Sequence, residues 1–230
     1  MRPLLLCLLT ACVLSAACRE SAGTGGNSSP QNAPSSVVNA TPTPTEVQQS
    51  AEAKPATNAE ARASLERVYK QAVAVDESRP DSFITGDFNG DGSGDLAVAV
   101  KPSRDTLDEI NSEVSNWIVS DPRAAVPFDP NRTKQTTPPT GAVKIEQSDA
   151  LLAIVHGHGA EGWRSAQATQ SYLLKGVAAQ GLRAVAVKDY PPALVVRKDL
   201  NAEVDIISGK LAGVDGFLYW SRGKYVWHKL

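Results

Sequence analysis

The chain has 230 residues, a formal net charge of −2, and 21% charged side chains divided almost equally between acidic and basic. This balance, with no basic patch or run, argues against a nucleic-acid partner. Walker and dinucleotide-binding glycine motifs are absent from the sequence, so it carries no signature of a nucleotide cofactor.

The first 17 residues are typical of a secretory signal. They place Arg2 before a short apolar run and end in small residues directly before Cys18. The apolar run is too short and wrongly flanked for a membrane-spanning helix. We therefore expect an exported protein whose signal peptide occupies residues 1–17.

The tetrapeptide Ser-Ala-Ala-Cys at residues 15–18 resembles the bacterial lipobox, in which the cysteine is acylated and becomes the mature N-terminus. The earlier Leu-Thr-Ala-Cys at residues 9–12 fits that pattern more closely, but cleavage there would leave almost no apolar core in the signal. Lipidation is therefore expected at Cys18, and a plain cleaved signal is the alternative. Arg19, rather than an Asp, follows the cysteine, which resembles lipoproteins that are sorted to the outer membrane of a two-membrane envelope. We therefore expect the domain in the periplasm or outside the cell.

The cysteine positions limit how the mature protein is stabilised. Cys7, Cys12 and Cys18 are the 3 cysteines of the chain, and all lie in or at the end of the signal. Residues 19–56 are rich in Ser, Thr, Pro and Ala, and they hold too little apolar surface to fold. We expect a disordered tether over residues 18–56 and one globular domain over 57–230, stabilised by its core and by bound metal rather than by disulfides.

The most specific pattern in the domain is a run of oxygen-bearing side chains at alternate positions. Counting from the first Asp, positions 1, 3, 5 and 9 carry carboxylates or an amide, position 6 is Gly, and position 7 offers a main-chain carbonyl. The residues are Asp87, Asn89, Asp91, Asp95, Gly92 and Ser93. Ca²⁺ takes oxygen ligands from tightly curled loops of this kind. Val98 stands where an EF-hand has its Glu, and the following residues alternate as in a strand, so we expect a strand-loop-strand unit.

Residues 86–100 resemble the calcium-binding loops of FG-GAP and VCBS-type repeats, which occur in integrin-like propellers and in exported bacterial proteins. The resemblance implies a Ca²⁺ site, but it names no activity. Propellers repeat the motif in every blade, and this chain contains it once, so a propeller is not expected. The alternative is a Gly-rich and Asp-rich turn that binds no metal.

The remaining patterns predict an α+β domain with a mainly antiparallel sheet and about three helices. Helices are expected from the capping box at 57–60 to about Val75, from a second capping box at Thr106 to Ile118, and from about Ser165 to Val177. Strands are expected at residues 82–85, 96–100, 142–145, 149–155, 182–187, 193–196, 203–208, 214–220 and 224–228. Residues 121–141 form a Pro-rich surface excursion of unassigned role.

A second polar loop follows the apolar strand that ends at Val155. Its candidate functional side chains are His156, His158, Glu161, Trp163 and Arg164. Three interpretations stay open: a packed connection, a transition-metal site, or a catalytic loop. A metal site needs a third ligand, and the other histidine, His228, is distant in sequence. A hydrolase of the Gly-x-Ser-x-Gly type is not supported, because that motif is absent.

Two functions follow from these patterns. The first is a membrane-anchored lipoprotein with a calcium-stabilised binding domain, whose partner would be an envelope protein or a glycan. The second is a periplasmic or surface hydrolase that uses acid and base groups of the loop at 156–164. Aromatic residues at 217–220 are interpreted as core side chains, with a sugar-binding platform as the alternative.

Overall fold

The computed structural model describes residues 54–79, 83–127, 142–177, 180–190, 204–211 and 213–230. The predicted signal, Cys18, the tether up to residue 53 and the predicted strand at 193–196 lie outside the described residues. Within the described ranges, no helix has both the length and the apolar character needed to span a membrane.

The first helix, α1 (Asn58–Tyr69), begins with the predicted capping box. The Glu60 N–H donates to Thr57 Oγ1 at 3.3 Å, and the Thr57 N–H donates to Glu60 Oε2 at 3.2 Å. These two bonds satisfy backbone donors that a helix start leaves open. The predicted extension of this helix to Val75 is wrong, because the chain turns at Lys70 with φ of 53° and continues as a strand.

The first sheet has six strands. Its strands are β1 (Val73–Val75), β2 (Phe83–Gly86), β3 (Asp95–Pro102), β4 (Ile118–Ser120), β5 (Leu151–Val155) and β6 (Ser171–Lys175). The order is β1-β3-β5-β6-β4. Strand β2 also pairs with β3, along residues 95–98, whereas β1 pairs with residues 100–102 of the same strand. All pairs are antiparallel except β4 with β6.

The second sheet is a four-stranded antiparallel meander in the order β10-β9-β8-β7. Its strands are β7 (Gln180–Ala186), β8 (Asp205–Leu211), β9 (Val214–Trp220) and β10 (Tyr225–Lys229). Short helical elements connect the strands: α2 (Leu107–Ile110) and the 3₁₀ segments Gly159–Arg164 and Val187–Asp189.

Alternation along β3 shows how the layers are arranged. Leu96, Val98 and Val100 pack in the cluster that includes α1 residues, whereas Ala97 packs with residues of the second sheet. Side chains of a strand point alternately to opposite faces, so the first sheet lies between α1 and the second sheet. A third cluster, built on Phe217 and other residues, covers the outer face of the second sheet. The α+β fold class with mainly antiparallel pairing is confirmed, and neither described sheet closes on itself.

The predicted helix from Thr106 to Ile118 is wrong beyond Ile110. Thr106 does not cap a long helix, because its hydroxyl donates to the carbonyl oxygens of Ala72 and Ser103 at 2.9 Å each. Trp117 still reaches the core as predicted, although from a loop, and its indole N–H donates to the Ile110 carbonyl at 3.2 Å. Tertiary contacts of the loop therefore replace the helical face that the apolar spacing indicated.

Two other local predictions are wrong for a similar reason. The predicted helix from Ser165 to Val177 is wrong, because the second half of this segment forms β6 between β5 and β4, where both faces are covered. The predicted strand at 142–145 has no strand partner among the described residues. Instead, Asn111 Oδ1 accepts the Ile145 N–H at 2.7 Å, and Asn111 Nδ2 donates to the Ile145 carbonyl oxygen at 2.9 Å. A side chain there takes the place of a neighbouring strand.

The described part of the Pro-rich excursion, residues 121–127, packs on the second sheet. The Trp227 N–H donates to the Pro122 carbonyl oxygen at 2.9 Å, and Ala125 contacts the outer cluster. This part of the segment therefore covers apolar surface rather than extending away from the domain.

Candidate functional site

The run of oxygen-bearing residues forms a loop between two paired strands, as predicted. This Asp loop, residues 87–95, joins β2 to β3, and its two ends are paired in register through Gly86 and Asp95. The antiparallel pair fixes both ends of the loop, so the loop must reverse the chain within a short distance. Such a reversal forces the side chains at alternate positions toward its centre.

Its own carboxylates hold the loop in this curled form. Asp87 Oδ1 accepts the N–H groups of Gly90 and Asp91 at 2.8 and 3.2 Å, and Asp87 Oδ2 accepts that of Gly92 at 2.9 Å. Asp91 Oδ1 accepts the Ser93 N–H at 2.7 Å. Gly90 and Gly92 have φ of 76° and 83°, a region that favours glycine. The spacing of Asp and Gly thus specifies the turn itself.

Asp95 lies at the inner end of the loop and has no exposed surface. One of its oxygens accepts the N–H groups of Phe88 and Asn89 at 2.8 and 3.2 Å, and the other accepts that of Gly157 at 2.7 Å. Burial raises the pKa of Asp95 to about 7, the N–H bonds from Gly157 and Phe88 oppose the rise, and the charges of Asp91 and Asp87 add to it. Asp95 therefore connects the Asp loop to the second polar loop while its own negative charge is poorly compensated.

The second polar loop, residues 156–164 and called here the His loop, packs directly on the Asp loop. The Trp163 N–H donates to the Gly94 carbonyl oxygen at 2.8 Å. A Cβ on Gly162, which has φ of 58°, would lie 2.6 Å from that same oxygen, and Gly157 is equally close-packed against it. The two stretches that stand out in the sequence are therefore one double-loop structure that only glycine permits at these positions.

His156 is the member of the His loop that reaches the Asp loop. Its Nδ1 lies 3.3 Å from Asn89 Nδ2, and its Nε2 lies 2.7 Å from Tyr225 Oη. The ring is buried against the rings of Tyr172 and Trp220, at centroid distances of 5.1 and 4.8 Å. Burial lowers the pKa of His156 to about 4, so this imidazole is neutral at pH 7.

The other predicted residues of the His loop point elsewhere. His158 and Glu161 are exposed, and Trp163 is buried in the cluster beside α1. Arg164 stacks on the Trp163 ring, with its guanidinium carbon 4.3 Å from the ring centroid, and donates to the Lys54 carbonyl at 3.0 Å and to Glu60 at 3.4 Å. These side chains do not converge on one point.

The third histidine is also separate from the site. His228 lies in β10, and its ring packs on Phe217 with a centroid distance of 4.9 Å. Within the ranges that the structure describes, no group of three or more His, Cys, Asp or Glu side chains is arranged to hold a metal by itself. A cation at the Asp loop would therefore rely on amide and main-chain oxygens in addition to carboxylates.

Two residues of the site have no signal in the local sequence. Asp205, at the start of β8, accepts the Asp87 N–H through Oδ2 at 2.9 Å, and its own N–H donates to the Asp87 carbonyl at 2.9 Å. Asp205 is 118 residues from Asp87, and Tyr225 is 69 residues from His156. Only the packing of the second sheet on the first brings these partners together.

The donor set of the Asp loop fits a hard divalent cation in chemistry and in charge. Among the described residues, neither Asp87, Asp91 nor Asp95 forms an ion pair with a Lys or Arg side chain. No described group donates a hydrogen bond to the Ser93 carbonyl oxygen. An ionised carboxylate has about four acceptor positions, so the Asp oxygens retain lone pairs beyond their N–H bonds.

Comparison of the chain with protein-family models, with curated proteins and with solved structures finds no match.

Proposed function

We propose that this protein is an exported lipoprotein, anchored to the cell envelope by an acylated Cys18, whose single domain is a binding module stabilised by Ca²⁺. The proposed ligands are the side chains of Asp87, Asn89, Asp91 and Asp95 and the Ser93 carbonyl oxygen. The observation that carries the proposal is the Asp loop itself. It holds three carboxylates and no described cationic partner, between two strands of the core sheet.

Electrostatics gives the first argument. Carboxylates that share a short loop repel one another, and this repulsion is strongest where water is excluded. Asp95 is fully buried, so its ionised form needs a compensating positive charge. A bound Ca²⁺ supplies that charge and favours oxygen ligands at the odd positions of the loop.

The contacts of the loop give the second argument. Asp95 bonds the His loop through Gly157, and Asp87 exchanges two hydrogen bonds with Asp205 of the second sheet. A cation that fixes these two carboxylates therefore stabilises the packing of three regions at once. Its contribution to the protein is structural, because it holds together the Asp loop, the His loop and the start of β8.

The position of the His-loop side chains supports the binding module over the hydrolase. General acid and base groups must lie within hydrogen-bond reach of one substrate position. His158 and Glu161 are exposed, Arg164 contacts the chain before α1, and His156 is enclosed by aromatic rings. The aromatic residues Phe217 and Tyr219 are likewise buried, so they do not form an exposed sugar platform. A partner in the envelope, a protein or a glycan, would bind another surface.

Calcium binding to the mature chain tests the metal site. The chain from residue 18, with Cys18→Ser to prevent acylation, is titrated with CaCl₂ in an isothermal calorimeter after treatment with a chelator. We expect one site with a Kd of about 0.1 to 1 mM, the range of extracellular calcium modules. Asp91→Ala should abolish the signal. Asp108→Ala, at an exposed position in α2, is the matched control and should leave it unchanged.

Loss of binding in both variants, or equal binding in both, would contradict the assignment of the site.

The anchor is tested separately by labelling cells with a radioactive fatty acid. Cys18→Ala should abolish incorporation and release the protein from membranes, since stable anchoring needs the acyl chains. Cys12→Ala should retain both. Label in the Cys18→Ala protein would place the lipid elsewhere and reject this part of the proposal.

A further inference from the structure

We infer that His156 is a positioning residue that fixes the side-chain amide of Asn89 so that its oxygen faces the interior of the Asp loop. This inference rests on the proposed calcium site, of which Asn89 is a ligand. His156 itself would not contact the cation. It lies on a different loop, 67 residues further along the chain, and its ring is buried.

The orientation of the Asn89 amide follows from its contacts with Asp91. Asn89 Oδ1 accepts the Asp91 N–H at 3.1 Å, and Asn89 Nδ2 donates to Asp91 Oδ2 at 2.8 Å. An amide nitrogen only donates and an amide oxygen only accepts, so reversing the amide would lose both bonds. The nitrogen is therefore the atom that lies 3.3 Å from His156 Nδ1.

The tautomer of His156 follows from this contact. Asn89 Nδ2 carries two hydrogens and no lone pair, so His156 Nδ1 must be the acceptor. The proton of the neutral ring then resides on Nε2, which donates to Tyr225 Oη at 2.7 Å. A chain of two hydrogen bonds thus runs from Tyr225 through the imidazole to the Asn89 amide.

The surroundings of the imidazole keep it in this orientation. Its ring packs against Tyr172, Trp220 and Tyr225 at centroid distances of 5.1, 4.8 and 5.8 Å. The main-chain N–H of His156 donates to the main-chain carbonyl of Gln170 at 2.9 Å, beside the pairing of β5 with β6. A ring held on these sides presents Nδ1 to the Asp loop.

This arrangement matters for the cation because Asp91 is a proposed ligand itself. Asn89 Nδ2 donates to Asp91 Oδ2 as well as to His156 Nδ1. When Asp91 serves the cation, His156 is the acceptor that still holds this nitrogen, so the amide oxygen stays toward the loop interior. A reversed amide would offer a nitrogen with no lone pair to a cation that requires oxygen. Partners of this outer kind typically change metal affinity by about 10-fold or more when they are removed.

Calcium affinity in a set of His156 variants tests the inference, again with the mature Cys18→Ser chain. His156→Leu removes the acceptor, and we expect the calcium Kd to rise about tenfold. His156→Asn retains an acceptor oxygen near the position of Nδ1, and we expect it to restore affinity to within about threefold of the parent. His158→Gln, at an exposed position two residues away, is the matched control and should leave the Kd unchanged.

A second measurement does not depend on calcium, and its deciding result comes from the parent chain. Nitrogen-detected NMR of the His156 ring in the parent chain should show an unprotonated Nδ1 and a protonated Nε2 at neutral pH. Tyr225→Phe removes the acceptor of the Nε2–H and should shift the signals toward the other tautomer. A protonated Nδ1 in the parent would overturn the inference.

The outcomes separate this inference from the proposal beneath it. A parent chain and a His158→Gln variant that both fail to bind calcium would overturn the site and the positioning role together. A parent that binds calcium, with a folded His156→Leu variant that binds equally well, would overturn the positioning role alone. A weakened Leu variant, a restored Asn variant and the Nε2–H tautomer would together support it.

Discussion

The Asp loop and the His loop are both glycine-rich and polar, both adjoin strands of the first sheet, and they contact each other, yet their side chains behave in opposite ways. In the Asp loop, side chains at alternate positions turn inward onto the backbone of the loop itself. In the His loop, neighbouring side chains scatter to the interior, to α1 and to solvent. A regular spacing of similar oxygens predicts a site, whereas a mere concentration of polar residues does not.

Two buried carboxylates, Asp95 in the first sheet and Asp76 just after β1, show the same contrast in charge. Asp76 accepts from Arg79 at 2.9 Å and from Lys101 at 2.8 Å, so its charge is neutralised within the fold. Asp95 receives only backbone N–H groups among the described residues. The charge of Asp76 is thus compensated by two cationic side chains, whereas no described Lys or Arg side chain compensates that of Asp95.

The close contact between the loops should be the most sensitive feature. Gly162→Ala combines a φ of 58° with a Cβ that would lie 2.6 Å from the Gly94 carbonyl oxygen, and we expect a loss of about 3 kcal/mol in the free energy of unfolding. Gly159→Ala has a similar φ of 61° but open space around its Cβ, and should cost only about 1 kcal/mol. Urea denaturation measures both. Equal losses would show that the close contact of Gly162 with the Gly94 carbonyl oxygen does not limit the residue at position 162.

The link from the Asp loop to the second sheet should come next. Asp205→Ala removes the acceptor of the half-buried Asp87 N–H, and we expect a loss of about 2 kcal/mol in the free energy of unfolding. Asp189→Ala, at an exposed position before β8, should change it by less than about 0.5 kcal/mol. Urea denaturation in the presence of a chelator compares the two variants. If the Asp205→Ala protein is as stable as the Asp189→Ala protein, the hydrogen bonds between Asp205 and Asp87 do not contribute to stability.

The ion-paired carboxylate predicts a specific dependence on pH. Burial raises the pKa of Asp76, but the bonds from Lys101, Ser78 and Arg79 outweigh it and hold the pKa well below its usual range. A lowered pKa in the folded state stabilises the protein above the unfolded pKa of about 4, and this contribution is lost as the pH falls further. We expect the free energy of unfolding to fall between about pH 5 and pH 2 by about 1 to 2 kcal/mol more in the parent than in Asp76→Asn.

Chemical denaturation at a series of pH values measures this difference. The control is Glu77→Gln, which removes an exposed carboxylate next in the chain. A parent and an Asp76→Asn variant with parallel pH profiles would mean that the ion pair makes no net contribution.

The exposed side chains of the His loop should give the smallest effect. His158→Ala combined with Glu161→Ala removes both polar groups that face solvent, and we expect a change of less than about 0.5 kcal/mol in unfolding and no change in calcium affinity. The measurements are urea denaturation and calorimetric titration. A large loss in either quantity would show that the exposed side chains of the His loop contribute to stability or to calcium binding, contrary to the difference between the two loops described above.

The features that could be predicted from the sequence are those encoded over a few residues. The capping box at Thr57 and Glu60, the strand-loop-strand unit around Asp91, and the opposite faces of Phe217 and Leu218 all follow from local spacing. Each reflects a hydrogen-bond pattern or a strand period that is complete within about ten residues.

The features that were missed depend on partners far apart in the chain. Residues 171–175 are apolar enough to suit either a helix or a doubly covered strand, and only pairing with β5 and β4 decides between them. Asp205 and Tyr225 carry no local motif, so their contacts with Asp87 and His156 could not be anticipated. The composition of the His loop left a packed connection, a metal site and a catalytic loop open, and the close approach of its glycines to Gly94 favours the packed connection.

The most direct test of the central claim is thermal unfolding of the mature Cys18→Ser chain with a chelator and with 10 mM CaCl₂. For a Kd of about 0.1 to 1 mM, calcium should stabilise the native state by about 1.4 to 2.7 kcal/mol and raise Tm by roughly 3 to 10 °C. Asp91→Ala should eliminate the rise, and Asp108→Ala should retain it. An unchanged Tm in the parent chain would reduce the Asp loop to a turn and contradict the account.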